Sequence, residues 1–441
     1  MSEENGARRN GQSKSEGVHS DVYVALVVLL LSVAMAFSLV DRFALSLLFE
    51  PIKADLGLSD TRLGLLHGVA FGIFYAAVGL PLGQLVDVWS RKWTIFWGLA
   101  IWSLATMACG FANDFSMLLL MRIGVGVGEA ALAPAGYSII TAIAPRRLLA
   151  TAISVFQMGS LAGAGMAFLL GGALFAWLSG AGANAIPFLD GHSAWQKTFV
   201  LLGAPGIVLL ALILLIREPA RPAKAPAEAE APRETILQHI AANGALYSTL
   251  FIGNACLVAV SYAMVSWAPA MLARDFGWSV SVVGLRVGLM MLTVAPAGVL
   301  LGGMLADFLS RASGKNEFGT ALSLAAFASL PLLACLLFAR NGAQLFAIIA
   351  AVQFASSMAV GVGPAAIQVL APPSMRGRMS ALYVFTVNAI GLGVGPVTIG
   401  LLSDHVFKGD HALLSSLVTY TISMCAAAAL LLFAFRKLSR R

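Results

Sequence analysis

Charged side chains are scarce in this 441-residue chain, since Asp, Glu, Lys and Arg make up only 11% of it. Soluble globular domains carry about 25% charged residues, whereas 59% of this chain is hydrophobic. Its apolar runs are of helix length, unlike the roughly ten-residue alternating segments of a membrane barrel. The scarcity of charge therefore excludes a soluble protein and predicts an all-α integral membrane protein.

Cysteine is also rare, and the usual catalytic motifs are missing. The four cysteines lie in four different apolar runs without CxxC spacing, which indicates neither a disulfide framework nor a zinc site. Gly314 and Lys315 form the only Gly-Lys pair and lack the earlier glycine of a phosphate-binding loop; no HExxH or GxSxG motif occurs. We therefore expect no enzyme activity, no metal, no cofactor and no nucleotide hydrolysis by this chain.

Twelve apolar runs are long enough to cross a bilayer, because a helical span needs about twenty apolar residues. Their approximate limits are 22–48, 61–85, 93–112, 115–143, 148–178, 198–216, 245–272, 280–306, 319–339, 343–371, 379–402 and 412–435. Nineteen Lys and Arg residues lie at one set of run ends and six at the other. By the positive-inside rule, we expect a multi-pass protein of the cell (inner) membrane with both termini cytoplasmic. The net charge of +7 then reflects topology, and no nucleic acid partner is expected.

A segment rich in Pro, Ala and charge divides the chain into two halves. We predict a disordered cytoplasmic tail (1–20), a six-helix domain (21–216), a cytoplasmic linker (217–244) with one short helix near 234–242, a second six-helix domain (245–436) and a cytoplasmic tail (437–441). GQLVDVWSR at 83–91 and GMLADFLSR at 303–311 share Gly, Leu, Asp, Ser and Arg at a shift of 220 residues. The halves are therefore duplicated units, and an even number of spans in each predicts parallel repeats.

These segments carry a family resemblance. GQLVDVWSRK after the second span resembles the loop signature of the major facilitator superfamily, and APPSMRGRMSALYVF resembles that superfamily's loop between spans ten and eleven. The segment 41–66, together with RIGVGVGEA and APRRLLATAIS, is most similar to Spinster-type lipid transporters, although organic-anion and sugar-acid transporters share part of it. The resemblance implies the major facilitator fold, a monomer, and an amphipathic lipid cargo such as a lysolipid or sphingoid phosphate.

An arginine and a glutamate interrupt the fourth apolar run. Arg122 and Glu129 are seven residues apart, so at about 100° per residue they project from one helix face. Asp41 lies at a similar predicted depth in the first span and can reach Arg122 if the two spans adjoin. Ionisable groups inside a membrane are costly and usually mark a functional site. We predict that these three residues couple proton binding to conformation; a static ion cluster that fixes helix register is the alternative.

Three further charged or titratable residues in the spans have two interpretations each. Arg42 is either a further partner of the acids or turned toward the membrane interface. His67 could titrate near neutral pH or could be a buried core residue. Arg286 could contact an anionic substrate or extend toward the outer surface.

The second half has few polar residues at the positions that correspond to this cluster. A shift of 220 places Ser261 and Tyr262 where the first half has Asp41 and Arg42. With Gln353, Asn254 and Asn388, they are candidate hydrogen-bond partners for a substrate in a midplane cavity. The difference predicts that the polar head of the cargo binds toward the first half and its apolar part toward the second.

The repeated loop signature predicts two gating clasps. Asp87 can pair with Arg91, or cap a neighbouring helix, and Asp307 and Arg311 can do the same in the second half. We expect these clasps to hold the cytoplasmic side shut in the outward-facing state. The positive-inside rule alone accounts for the basic residues but not for the repeated aspartates.

Together these observations predict a twelve-helix secondary transporter in which two six-helix halves rock around a central cavity, coupled to protons. One alternative keeps the fold and changes the cargo to an organic anion or drug. An alternative of another class is a membrane receptor or scaffold without transport activity.

Overall fold

The structure is a computed structural model that describes residues 20–145, 148–218, 236–372 and 375–439, without the side chains at 80, 87, 150, 236, 237 and 377. Every regular element in these ranges is helical. The α-helices are α1 (Asp21–Leu47), α2 (Phe49–Leu56), α3 (Asp60–His67), α4 (Val69–Val88), α5 (Arg91–Cys109), α6 (Phe115–Glu129), α7 (Leu132–Ile143), α8 (Leu149–Leu178), α9 (Ala194–Gly203), α10 (Pro205–Leu214), α11 (Ile236–Ala242), α12 (Gly244–Phe276), α13 (Val280–Ser313), α14 (Phe318–Cys335), α15 (Gly342–Leu370), α16 (Arg376–Val387), α17 (Gly395–Leu401) and α18 (Ala412–Leu438). Two π-helical segments, Asn388–Val394 and Leu402–Val406, flank α17.

These helices form twelve spans in two parallel six-helix repeats, as predicted. Within the described ranges, eleven spans are long and apolar enough to cross a membrane by length and composition. The twelfth is α5, which has 19 residues and carries Arg91, Lys92 and three tryptophans. We call the side where α1 begins and α18 ends the terminal side of the bundle, and the opposite side the distal side.

Several spans are built from two helices instead of the single helix that periodicity predicts. The second span is α3 followed by α4, with a break at Gly68, and the fourth is α6 followed by α7. The α-helical hydrogen-bond pattern of the fourth span is interrupted after Glu129, where the Ala131 N–H bonds to the Gly128 carbonyl in a tighter turn. Pro134 lies three residues further on and has no N–H to donate to the preceding turn. Glu129 is therefore the last residue of α6, and it is buried at the junction of α6 and α7.

Glycines bring the two repeats into contact on the distal side. A Cβ atom at Gly64 of span two would stand 2.4 Å from the Pro396 carbonyl oxygen of span eleven. Between spans five and eight, a Cβ atom at Gly284 would stand 2.5 Å from the Phe168 carbonyl oxygen. Such approaches of backbone to backbone require residues without a side chain. The distal ends of the two repeats are thus packed together.

The terminal parts of the same spans lack such contacts. A Cβ atom at Gly79 or Gly83 of α4, or at Gly303 of α13, would have no neighbouring heavy atom within 4 Å. Spans two and eight are therefore in contact with the opposite repeat distally and face open space at these terminal positions.

Gly64→Ala is expected to disfavour the closed distal side. The added methyl would lie against backbone of span eleven, which cannot move aside as a flexible side chain can. Spin labels at Ala181 and Lys408, exposed on distal loops of the two halves, should report a longer distance in this variant. Gly79→Ala in the same span, where a methyl meets open space, is the control. Equal distances in the two variants would contradict the importance of this contact.

Several predicted segments fall on parts of the chain that the structure does not describe. The predicted N-terminal tail lies outside the described residues except for Ser20, as do residues 219–235 of the linker and the last two residues of the C-terminal tail. The short linker helix is described from Ile236 to Ala242.

Candidate functional site

The charged residues of spans one and four meet in one buried cluster. The Arg42 Nη2 atom donates to the Glu129 Oε2 atom at 2.8 Å, with 10% of the Arg42 side chain and none of the Glu129 side chain exposed. The Arg122 Nη1 atom donates to the backbone carbonyl of Asp41 at 3.2 Å. All four side chains are buried. The prediction that Asp41, Arg122 and Glu129 lie close together therefore agrees with the geometry, and Arg42 belongs with them.

The pairing within the cluster differs from the predicted one. The sequence placed Arg122 on one helix face with Glu129 and within reach of Asp41, but the described residues show no ion pair between Arg122 and either acid. Arg42, whose orientation the sequence left open, pairs with Glu129 instead. The side chains of Asp41 and Arg42 project about 100° apart on α1. The Arg42 side chain therefore reaches Glu129, while Asp41 meets Arg122 through its backbone carbonyl.

Asp41, unlike Glu129, has no counter-ion among the described residues. Its side chain is fully buried, and neither carboxylate oxygen has a hydrogen-bond partner among the described residues. The Trp102 indole and the Thr106 hydroxyl of span three face the Asp41 carboxylate, but neither is placed to donate a hydrogen bond to it. Because an isolated buried carboxylate is costly when ionised, the two acids of the cluster are not equivalent in this conformation.

Aromatic rings of span two lie against both arginines. The guanidinium carbon of Arg42 is 4.4 Å from the centre of the Phe71 ring and 5.1 Å from that of Tyr75. The guanidinium carbon of Arg122 is 5.7 Å from the Phe71 ring. Cation–π contacts of this kind hold a guanidinium in place. The sequence alone did not single out these rings.

His67 lies in the core of span two. It is fully buried, its ring centre is 5.9 Å from that of Phe49 and 6.2 Å from that of Phe43, and neither ring nitrogen has a hydrogen-bond partner in the described chain. The structure agrees with the second interpretation of His67, a buried core residue. Its ring is packed against aromatic side chains and not against polar partners.

The polar candidates of the second half divide into two groups. Gln353 donates to Ser261 at 2.7 Å and is buried, while Ser261, Tyr262 and Asn388 are partly exposed. Asn254 is fully buried and bonds to the Tyr383 hydroxyl and to a backbone carbonyl of span ten. We predicted it as a cavity residue, but its partners show that it joins spans seven, ten and eleven. Sequence spacing could not show this, because Tyr383 is 129 residues away.

Arg286 lies away from the charged cluster. Its guanidinium carbon stacks on the Trp278 ring at 4.4 Å, and its side chain is exposed. This geometry matches the second sequence interpretation, in which the side chain extends toward the distal surface.

Of the two predicted clasps on the terminal side, the structure describes both side chains of the second one alone, Asp307 with Arg311. Asp307 and Arg311 are exposed, and no ion pair joins them within the described chain. The Asp87 side chain lies outside the described part. The Arg91 N–H donates to the Glu218 carboxylate at 2.7 Å, and the Ser90 hydroxyl donates to the same group. The unpaired state of Asp307 and Arg311 agrees with the open space next to Gly79, Gly83 and Gly303 on the terminal side.

A cluster that we did not predict joins the two repeats on the distal side. Asp60 at the start of α3 accepts from Lys53 of the first repeat at 2.5 Å. It also accepts two hydrogen bonds of 2.8 Å from Arg274 and one of 2.8 Å from Ser403, both in the second repeat. Arg274 also donates to Glu50 at 2.7 Å. We call these five residues the distal clasp.

A second carboxylate strengthens this contact between repeats. Asp404 of the second repeat accepts from the Asp60 N–H at 3.2 Å, and from the N–H and hydroxyl of Thr61 at 2.7 and 2.6 Å. A carboxylate at the first turn of a helix satisfies its free N–H groups and its positive dipole end. The N-terminus of α3 is thus capped by the other half of the protein. The sequence signal was the acids and bases at 50–62, 274 and 404, which lie at or just beyond the ends of the predicted spans.

The described residues contain no group of three or more His, Cys, Asp or Glu side chains that could hold a metal ion.

Comparison with known proteins identifies the family. The Major Facilitator Superfamily pattern matches residues 31–396. The chain is 31% identical over 375 residues, 83% of its length and 81% of the relative's, to an MFS-type efflux pump of Mycolicibacterium smegmatis. It is 24% identical to the probable galactarate/D-glucarate transporter GudP of Escherichia coli over 89% of this chain and 91% of that one.

A solved structure matches almost the whole molecule. It is a bacterial homologue of the human lysosomal transporter Spinster in an inward-facing, unoccupied conformation, with a TM-score of 0.80, 26% identity, and coverage of 96% of this chain and 98% of that one. The match of the family pattern to most of the chain and the twelve-span fold lead to one conclusion. The protein belongs to the Major Facilitator Superfamily and is a multi-pass, Spinster-like transporter, not an enzyme.

Proposed function

We propose that this protein is a proton-coupled secondary transporter of an amphipathic lipid, of the lysolipid or sphingoid phosphate type, that works by alternating access. The observation that carries the proposal is the buried cluster of spans one and four, in which Glu129 is paired with Arg42 while Asp41 has no counter-ion. A cluster with one paired and one unpaired acid can take up or release a proton when the helices move.

The proton is assigned to Asp41 in the conformation with the distal side closed. A neutral Asp41 avoids the cost of burying an unpaired charge, whereas Glu129 is held ionised by Arg42. When the distal clasp opens and span two moves, the partners of both acids change together. Proton binding and the exposure of the cavity are thereby linked.

The cargo assignment follows from the contrast between the repeats. An anionic head has Arg42 and Arg122 on the side of the first repeat. On the side of the second repeat, an acyl chain meets apolar wall with a few neutral donors, among them Tyr262 and Asn388. A charged pole opposite a sparsely polar wall suits an amphipathic molecule.

The remaining assignments complete the proposal. The terminal side faces the cytoplasm across the cell (inner) membrane, with both termini cytoplasmic, and a monomer transports. The moving bodies are the six-helix domains 21–216 and 245–436. The clasps Asp87–Arg91 and Asp307–Arg311 close the cytoplasmic side after the distal side opens.

A second candidate cargo is a small organic anion, because the relatives include a sugar-acid transporter. Two buried arginines could serve a carboxylate as well as a phosphate. A small hydrophilic anion would, however, need cationic groups or several donors from both repeats, and the site residues of the second repeat carry no charge.

Transport by reconstituted vesicles tests the proposal. Labelled lysolipid uptake is expected to increase several-fold when a pH gradient is imposed, and Asp41→Asn should abolish that increase. Asp55→Asn is the control, because the hydrogen bonds of Asp55 within the described residues go to Ser193 and Trp195 of the same repeat. Uptake of glucarate in place of lysolipid would establish the second candidate. Absence of uptake of either compound would favour a receptor or scaffold.

A further inference from the structure

Span two has two helical faces, one packed against the charged cluster of its own repeat and one packed against the opposite repeat. His67, Phe71 and Tyr75 are spaced by four residues and therefore lie on one helical face, next to the charged cluster. Gly64, Gly68 and Gly72 have the same spacing on a second face, which contacts span eleven of the other repeat. Cβ atoms at these three glycines would stand 2.4 to 3.2 Å from backbone atoms of span eleven. Span two thus lies between the cluster and the interface of the repeats.

Phe71 is the residue of this span that contacts both arginines. Its ring is fully buried and lies 4.4 Å from the Arg42 guanidinium carbon and 5.7 Å from that of Arg122. Its backbone is held from the other side by span four, since a Cβ at Gly126 would stand 2.8 Å from the Phe71 carbonyl oxygen. The ring cannot shift without moving Arg42, α6 or the glycine face next to it.

The ring face carries partial negative charge and attracts both cations. A single ring that contacts two guanidinium groups reduces their mutual repulsion and holds Arg42 where it reaches Glu129. Loss of the pair would release Arg42 from the ring, and movement of span two would displace the ring from Arg42. The ion pair and the position of span two are therefore mutually dependent.

We propose that Phe71 is a positioning residue for proton coupling: its ring connects the Arg42–Glu129 pair to the contact of span two with the opposite repeat. This role rests on the proposed proton-coupled transport. Charged and titratable groups face the ring and the pair from spans one, two, three, four and seven, namely Asp41, Arg42, His67, Tyr75, Cys109, Arg122, Glu129 and Tyr262.

Phe71→Leu removes the aromatic face and keeps an apolar side chain. The weaker Arg42–Glu129 pair should separate at a lower proton concentration, so the midpoint of the pH-driven change in the Ala181–Lys408 spin-label distance is expected to rise by about one pH unit. Phe71→Met is the second variant if Phe71→Leu does not fold. Phe156→Leu is the matched control, because Phe156 is equally buried in the first repeat and its ring contacts Tyr137 and no arginine of the described chain. Equal midpoints in the Phe71 and Phe156 variants would overturn the proposal.

A double-mutant cycle at one pH separates this role from proton coupling itself. If the ring acts through the pair, Phe71→Leu should change the fraction of distal-open molecules in the parent but not in Glu129→Gln. Additive effects would overturn the positioning role even if the parent responds to pH. A parent without a pH response would instead contradict proton coupling, while the cycle would still decide whether Phe71 positions the pair.

Discussion

Asp60→Asn is expected to move the protein from the distal-closed toward the distal-open conformation, by a factor on the order of 30. Asp60 is 2% exposed in its side chain and accepts bonds from Arg274 and Ser403 of the opposite repeat, so these bonds exist only while the distal side is closed. Removing one partner of a buried ion pair costs roughly 3–5 kcal/mol. Arg274 is 25% exposed, which reduces the cost to about 2 kcal/mol, or roughly a thirtyfold change in population.

The distance between labels at Ala181 and Lys408 measures this shift. Asp55→Asn provides the control, since it removes an acid of the neighbouring α2 helix whose bonds stay within the first repeat. Asp55→Asn can lower stability, but in the described structure Asp55 has no bond across the repeats whose loss would favour opening. An unchanged distance distribution in Asp60→Asn would show that the distal clasp does not determine which side is open.

Glu129→Gln is expected to destabilise the protein far more than Asp41→Asn does. In Glu129→Gln, Arg42 remains buried without its counter-ion, which costs roughly 3 kcal/mol even with the Phe71 and Tyr75 rings against it. In Asp41→Asn, no ion pair is lost, because the Asp41 carboxylate has no partner in the described structure. The cost should then be below about 1 kcal/mol.

Thermal unfolding of purified variants at neutral pH tests this difference. The double variant Arg42→Gln with Glu129→Gln should recover part of the lost stability, since replacement of both partners leaves no unpaired charge. If Asp41→Asn were the more destabilising change, Asp41 and not Glu129 would have to be the acid that is paired with an arginine.

Much of the architecture follows from sequence periodicity and composition. Apolar runs of about twenty residues specify membrane helices, because every backbone polar group in a bilayer must bond within its own helix. The repeated GxLxDxxSR segment revealed the duplication. Acids are rare inside the apolar runs, which marks Asp41 and Glu129 as candidate functional residues, since a charge in hydrocarbon is costly. These inferences need only local properties of the chain.

Other features depend on contacts between residues far apart in sequence. The choice of Arg42 and not Arg122 as the partner of Glu129 depends on the rotation of α1 against α6, which a spacing rule cannot give. Asn254 could not be recognised as a packing residue without Tyr383. The distal clasp joins residues more than 200 positions apart.

The sequence by itself determined a twelve-span, duplicated membrane transporter and the location of its buried charges. These properties depend on helix length, hydropathy and spacing, which are fixed along the chain. Only the tertiary structure decided which charges are paired, which acid has no counter-ion among the described residues, and which side of the bundle is closed. Pairing and closure depend on how helices rotate and pack against one another, so the same sequence pattern is compatible with several arrangements of partners until the helices are placed.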